Sequence, residues 1–186
     1  AETGIEFGGF FELLFVGRMS REKGTDVLVD IMTRLGDGYR LTLVGDGPDR
    51  DWLTELITDR RLNIRLVGFQ KPTQVYCMMN NSDVLVVPSR SESLCKVTIE
   101  ALFSGLAVVA FDVGGIGFNI ENGSTGFLIR PGDIEGFLDS IVKIKDSEEL
   151  RNSMKIRAVE KAGEEFAERE KLSELLKEVY SENTAG

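Results

Sequence analysis

A chain of 186 residues has the length of one ordinary α/β domain and can bury about two-thirds of its unfolded surface. Its 42% hydrophobic and 28% charged content excludes collagenous, mucin-like and extended low-complexity classes. A net charge of -9, from 31 acids and 22 bases, argues against a general nucleic-acid binder and against adhesion to an anionic membrane, since both need a basic face.

Short β-rich runs alternate with longer segments of helical period. Strands are predicted at 13–16, 40–44, 64–67, 84–87, 107–111 and 126–129, apolar with little alternation, as expected of strands covered on both faces. Helical stripes fall between or after them: Val27, Leu28, Ile31, Met32 and Leu35; Trp52, Leu53, Leu56 and Ile57; Ile134, Phe137, Leu138, Ile141 and Val142. Core packing is the reading for all three. After Gly132 the pattern is wholly helical, with Leu150, Met154 and Ala158 on one face and Leu172, Leu175, Leu176 and Val179 on another. The repeated β-α-β units imply an α/β fold with a doubly wound parallel, Rossmann-like sheet, whose ligands sit beyond the carboxyl ends of the strands.

Several chemistries drop out early. With no histidine in the chain, a zinc site and a Ser-His-Asp or Cys-His mechanism are not expected. Cys77 and Cys95 form no Cys-x-x-Cys pair and fit a reducing cytoplasm. Ala1-Glu2-Thr3-Gly4 has no charged-then-apolar signal pattern, and the longest near-apolar run, 101–111, is too short to span a bilayer, so a soluble domain is expected.

Three loops leaving predicted strands carry candidate chemistry. Gly17-Arg18 ends the first strand, and a helix opens near Lys23-Gly24-Thr25-Asp26, so Arg18, Arg21 and Lys23 gather where helical N–H groups favour a phosphate. From these residues alone, a solvated basic loop is the stronger reading. Gly45-Asp46-Gly47-Pro48 after the second strand is mainly turn chemistry, although Asp46 is able to contact a hydroxyl. The richest stretch runs from Val84 to Ala101. A strand stops at Pro88, Glu92 lies in a polar loop, a helix begins near Cys95, and Glu100 follows about one turn in. A capping acid and an ordinary helical Glu would explain a bare E-x7-E. Glu100, however, sits among Val97, Ile99, Ala101 and Leu102 in a helix expected to be largely buried, where a carboxylate needs a partner or a ligand.

The ordered series G-R…K-G, G-D-G-P, P-S-x-x-E-S with E-x7-E, A-L-x-S-G-L-A-V-V-A, D-V-G-G-I and N-G-S-T-G-F-L-I with P-G-D resembles the C-terminal, donor-binding domain of the group 1 retaining glycosyltransferases of GT-B fold. The resemblance runs from about Leu13 to Tyr180, and Gly4-Ile5-Glu6 resembles the segment linking the two GT-B domains. It implies residues 1–11 as an interdomain linker remnant, 12–186 as a nucleotide-sugar-binding domain with C-terminal helices, and an N-terminal acceptor-binding domain as its missing partner. By the same resemblance Arg18 and Lys23, beside Gly17, grip the donor diphosphate, Glu92 faces the donor sugar and Glu100 binds the ribose hydroxyls. The amides of Leu94, Cys95, Lys96 and Val97 meet the distal phosphate or sugar, and Gly68-Phe69-Gln70 borders the base.

No cofactor and no metal are expected, because the cationic side chains and the helix terminus take a metal's place. No nucleic-acid or membrane partner is expected of this half; any membrane attachment would lie in the other. Two departures stand out: Glu92-Ser93-Leu94-Cys95 where Glu-Gly-Phe-Gly is common, and Gly117-Phe118 where Pro-Glu is frequent. A side chain at 95 adds bulk where glycine lets backbone approach phosphate. Two other classes remain open: a non-catalytic nucleotide-sugar-binding module, and another GT-B enzyme such as a sugar-nucleotide epimerase. A plain dinucleotide-binding domain ranks lower, because no G-x-G-x-x-G follows the first strand.

Overall fold

The computed structural model describes residues 7–183, with side chains described up to residue 165. Gly4-Ile5-Glu6 and the stripe from Leu172 to Val179 lie outside the described residues or side chains. Among the described residues six strands, β1 (Phe11–Val16), β2 (Tyr39–Val44), β3 (Ile64–Gly68), β4 (Val84–Val87), β5 (Ala107–Phe111) and β6 (Gly126–Ile129), form one parallel sheet in the order β3-β2-β1-β4-β5-β6. This is the doubly wound arrangement expected from the β-α-β repeat, with its topological switch point between β1 and β4. The strand predictions agree to within two residues at each end. Phe11, at the edge of the segment set apart as linker, is the buried first residue of β1.

Among the described residues seven α-helices cover the sheet: α1 (Thr25–Leu35), α2 (Arg50–Arg60), α3 (Pro72–Asn80), α4 (Lys96–Phe103), α5 (Ile116–Asn119), α6 (Ile134–Asp146) and α7 (Glu148–Asn183), with a 3-10 turn at Arg21–Lys23. β1 shows why the strands read as unbroken apolar runs. Leu13 and Phe15 join the core beneath α1, α2 and α6, while Leu14 joins the core beneath α3, α4 and α5. α7 serves both cores, with Met154 in the first and Ala158 and Ala162 in the second. β3, at the sheet edge, is only half-buried along its length. Val142 is 37% exposed, so the third stripe is narrower than its sequence suggests.

Local sequence starts several helices. Pro72 stands at the first turn of α3, where a missing N–H costs nothing, and the Lys71 amide donates to Gln74 Oε1 at 3.1 Å. Asp133 caps α6 by accepting from the Gly136 amide at 2.9 Å. At the far end of the sheet from the strand C-termini, the buried Glu12 and Arg40 side chains pair, with Arg40 Nε donating to Glu12 Oε2 at 3.0 Å. Among the described residues no helix is long and apolar enough to cross a membrane.

Candidate functional site

The loops leaving β1, β2 and β3 meet at the carboxyl edge of the sheet. Gly17 N–H donates to the Val44 carbonyl at 3.0 Å, Met19 N–H to Asp46 O at 2.9 Å and Gly45 N–H to Gly68 O at 2.9 Å. A Cβ at Gly45, whose φ is 128°, would collide with the Gly17 carbonyl. The Gly-Asp-Gly-Pro turn is thus glycine-rich because two loops touch there. Asp46 supports the turn by accepting from the Gly47 amide at 2.8 Å, and it pairs with Arg50 at 3.5 Å.

Above these loops, beyond the carboxyl ends of β1 and β2, lies a cavity of about 510 Å³, within the size range of small-molecule sites. Gly17 and Arg18 come to it from the β1 loop, Phe69 and Gln70 from the β3 loop, and Glu100 from α4. Phe69 is 83% exposed, so its ring is free to cover a ligand. The Gln70 amide nitrogen donates to the Val67 carbonyl at 2.8 Å, which leaves its carbonyl oxygen as the unengaged end. Gly68, at φ 69°, shapes this loop without lining the cavity. Sequence reasoning missed Val75 and Tyr76, which α3 adds to the wall. The signal was present, since Tyr76 stands one helical turn after Pro72.

Arg18 is exposed. Among the described residues it has no ion pair. Glu100 departs from expectation. α4 buries only Thr98, Ala101 and Leu102, and Glu100 is half-buried on the cavity side. Partial burial still pushes its carboxyl above the ordinary carboxylate range, with the Lys96 charge pulling the other way.

A second cavity of about 160 Å³ adjoins through Val16 and Gly17 and is lined by Lys23, Ser89, Glu92, Leu94, Cys95, Lys96 and Val97. Arg18 and Lys23, expected as one pair, therefore face different cavities on either side of Gly17. Lys23 is also engaged. Its Nζ lies 2.7 Å from Glu92 Oε1, and Ser89 Oγ, from a buried serine, donates to the same oxygen at 2.9 Å. The expectation of separate roles for Lys23 and Glu92 did not foresee this contact.

α4 begins without a side-chain cap; Thr98 N–H donates to the Cys95 carbonyl at 3.1 Å, and no capping side chain meets the amides of Lys96 and Val97. Cys95 stands at the N-cap, yet its side chain is 3% exposed and belongs to the core cluster that includes Val87 and Ile116. The bulk expected at position 95 is thus directed into the core. Burial pushes the thiol pKa up to about 11 and keeps it protonated. Leu94 is 52% exposed and Phe118 85% exposed. Gly114 and Gly115 press against the backbone of Glu92 and Ser93, and the Gly115 amide donates to Glu92 O at 3.4 Å. Arg21, the third base of the first loop, turns away from both cavities and stacks on Trp52, 3.8 Å from the ring centroid. Among the described residues no group of three or more His, Cys, Asp or Glu side chains is placed to hold a metal ion.

Comparison with known proteins gives the family and agrees with the fold. Over 147 residues the chain is 33% identical to alpha-D-kanosaminyltransferase of Streptomyces kanamyceticus, covering 76% of this chain and 38% of that enzyme. It is 33% identical over 174 residues to the sulfoquinovosyl transferase SQD2 of Arabidopsis thaliana, covering 91% of this chain and 33% of that enzyme. The chain thus spans between a third and two-fifths of these curated relatives. Among solved structures, Anabaena HepE in complex with UDP superposes with a TM-score of 0.80 at 25% identity, over 91% of this chain and 49% of that one. The C-terminal domain of a group 1 family glycosyl transferase from Francisella tularensis shares the fold, with a TM-score of 0.74 at 18% identity over 84% of this chain and 86% of that one. The family profile described as glycosyl transferases group 1 matches residues 5–161, and the chain belongs to that family.

Proposed function

We propose that the chain is the donor-binding half of a two-domain, retaining GT-B glycosyltransferase that moves a sugar from a nucleotide-diphosphate sugar to an acceptor. The observation that carries this reading is that two cavities share Val16 and Gly17 as wall residues, the larger lined by Arg18 and Glu100 and the smaller by Lys23, Glu92 and the start of α4, which has no side-chain cap. The larger takes the nucleoside, with Glu100 accepting from the ribose hydroxyls and Phe69 and Gln70 beside the base. The diphosphate crosses Gly17, where Arg18, Lys23 and the amides of 94–97 meet its charge. The sugar then lies toward Glu92. The complex of HepE with UDP supports uridine diphosphate as the first ligand to test.

In the reaction the bond between the anomeric carbon and the diphosphate oxygen breaks. The acceptor oxygen bonds to that carbon on the same face, and its proton passes to the departing phosphate. Arg18, Lys23 and the helix start offset the charge that builds on the leaving group, without a metal. The acceptor site belongs to a second domain, which the greater length of the relatives supports, so this chain alone binds donor weakly and transfers nothing. Two free thiols, Cys77 and Cys95, fit a cytoplasmic setting. Isothermal titration with UDP, in buffer with and without EDTA, tests the reading: measurable binding that chelation leaves unchanged is expected. Sugar transfer by this chain alone, or binding abolished by EDTA, contradicts it.

A further inference from the structure

We infer that Glu92 acts as a built-in competitor of the ligand phosphate for Lys23, and so sets how tightly a bare nucleoside diphosphate is held. This inference rests on the site reading above and concerns the same cavities. The ammonium offered to the diphosphate is already neutralised: Lys23 Nζ sits 2.7 Å from Glu92 Oε1, and the two side chains are 25% and 12% exposed. Such a pair is shielded enough from water for its attraction to matter, unlike a surface pair.

Glu92 is also held where it is. Ser89 Oγ donates to the same oxygen at 2.9 Å, the backbone of Gly114 abuts the Glu92 carbonyl, and Arg90 fastens the loop through its amide to Glu22 O at 2.8 Å. A phosphate therefore cannot take the full Lys23 charge by pushing Glu92 into solvent. It must share the ammonium with a fixed carboxylate or draw it away. Arg18 faces the other cavity with no ion pair among the described residues, so it is the cation available from the start. Only Glu92 Oε1 takes part in these contacts, which leaves Oε2 able to accept from the hydroxyls of a transferred sugar. An intact donor recovers through those hydroxyls what the phosphate loses at Lys23. The product diphosphate does not, so the pair favours donor over product.

The test is calorimetric titration of uridine and UDP into wild type, Glu92→Gln, Glu92→Ser, Lys23→Met and the Lys23→Met/Glu92→Gln double variant, each shown by circular dichroism to be folded. Glu92→Gln and Glu92→Ser are expected to bind UDP roughly fivefold more tightly than wild type. Uridine, which has no phosphate, is expected to bind all proteins alike, and the gain in UDP affinity is expected to vanish in the Lys23→Met background. UDP binding that both Glu92 variants leave equal or weaken overturns the inference while the site reading stands. A gain that persists without Lys23 also overturns it, because the carboxylate would then act on the phosphate directly. UDP binding by none of the proteins overturns the site reading and the inference together.

Discussion

The Arg90 guanidinium meets the Asp26 carboxylate as a two-pronged fork, Nη1 to Oδ1 at 2.8 Å and Nη2 to Oδ2 at 2.7 Å. It joins the loop carrying Glu92 to the helix that follows Lys23. The Arg90 hydrogen bond holds the Asp26 carboxyl below the ordinary carboxylate range, against a smaller opposing effect of burial. A depressed folded-state pKa gives stability that is present above the unfolded value and lost as pH falls through the folded one. Asp26→Asn is therefore expected to lower stability at pH 7 by about 0.5–1 kcal/mol, since the pair is partly exposed, and the deficit is expected to shrink below about pH 4. Urea unfolding of both proteins at pH 7 and in acid reads this, and a deficit that grows in acid contradicts it.

Glu100 predicts the opposite sign. Its folded pKa is raised, so ionisation is a liability that appears as pH rises through the unfolded value toward the folded one. Glu100→Gln is expected to raise the melting temperature by about 1–2 °C at pH 7 and to match wild type at pH 4. The same change is expected to weaken UDP about ten- to a hundredfold, the effect of losing hydrogen bonds to a charged group. A variant less stable than wild type at pH 7 would show a structural role for the carboxylate.

Arg18 and Arg21 separate function from structure within three residues. Arg21 stacks on Trp52 and lies 3.8 Å from Asp49 and 3.7 Å from Asp26. Arg21→Ala is expected to cost about 1 kcal/mol of stability and to leave UDP affinity within twofold, roughly the precision of such a titration. Arg18→Ala is expected to leave stability unchanged and to weaken UDP at least about tenfold. Melting curves and titrations on the two variants give the comparison, and equal effects on binding contradict it.

Gly114 sets the position of Glu92. Its φ of 52° suits glycine, and a Cβ there would strike the Glu92 carbonyl. Gly114→Ala must shift one backbone or the other, at an expected cost above about 1 kcal/mol. With Glu92 displaced from Lys23, UDP binding is expected to change in the direction set by Glu92→Gln. An alanine variant as stable as wild type would mean the loops yield more easily than their packing suggests.

The sheet was legible because its strands are short apolar runs covered on both faces, and Val84–Val87, Ala107–Phe111 and Gly126–Ile129 were placed to the residue. α3 was not, because nine residues with Val75, Met78 and Met79 buried and Tyr76 exposed make too brief a stripe to stand out. The roles proposed for Arg18 and Glu100 come from an ordered set of motifs, since composition and periodicity assign neither of them one. What stayed hidden is non-local. Lys23 and Glu92 are 69 positions apart, and Arg90 and Asp26 are 64 apart, so no local pattern reports either pair. The inward turn of Cys95 was equally hidden, because it depends on the cluster that includes Val87 and Ile116 beneath the start of α4.

The proposal on which every functional statement depends is that the 510 Å³ cavity takes the nucleoside of a nucleoside diphosphate, whose phosphates reach across Gly17. Isothermal titration of UDP into wild type, Arg18→Ala and Glu100→Gln, with EDTA present throughout, tests it most directly. Wild type is expected to bind with one site per chain, and each variant at least about tenfold more weakly with its fold intact. Wild-type binding that neither substitution weakens would place the nucleotide elsewhere on the molecule and contradict the assignment.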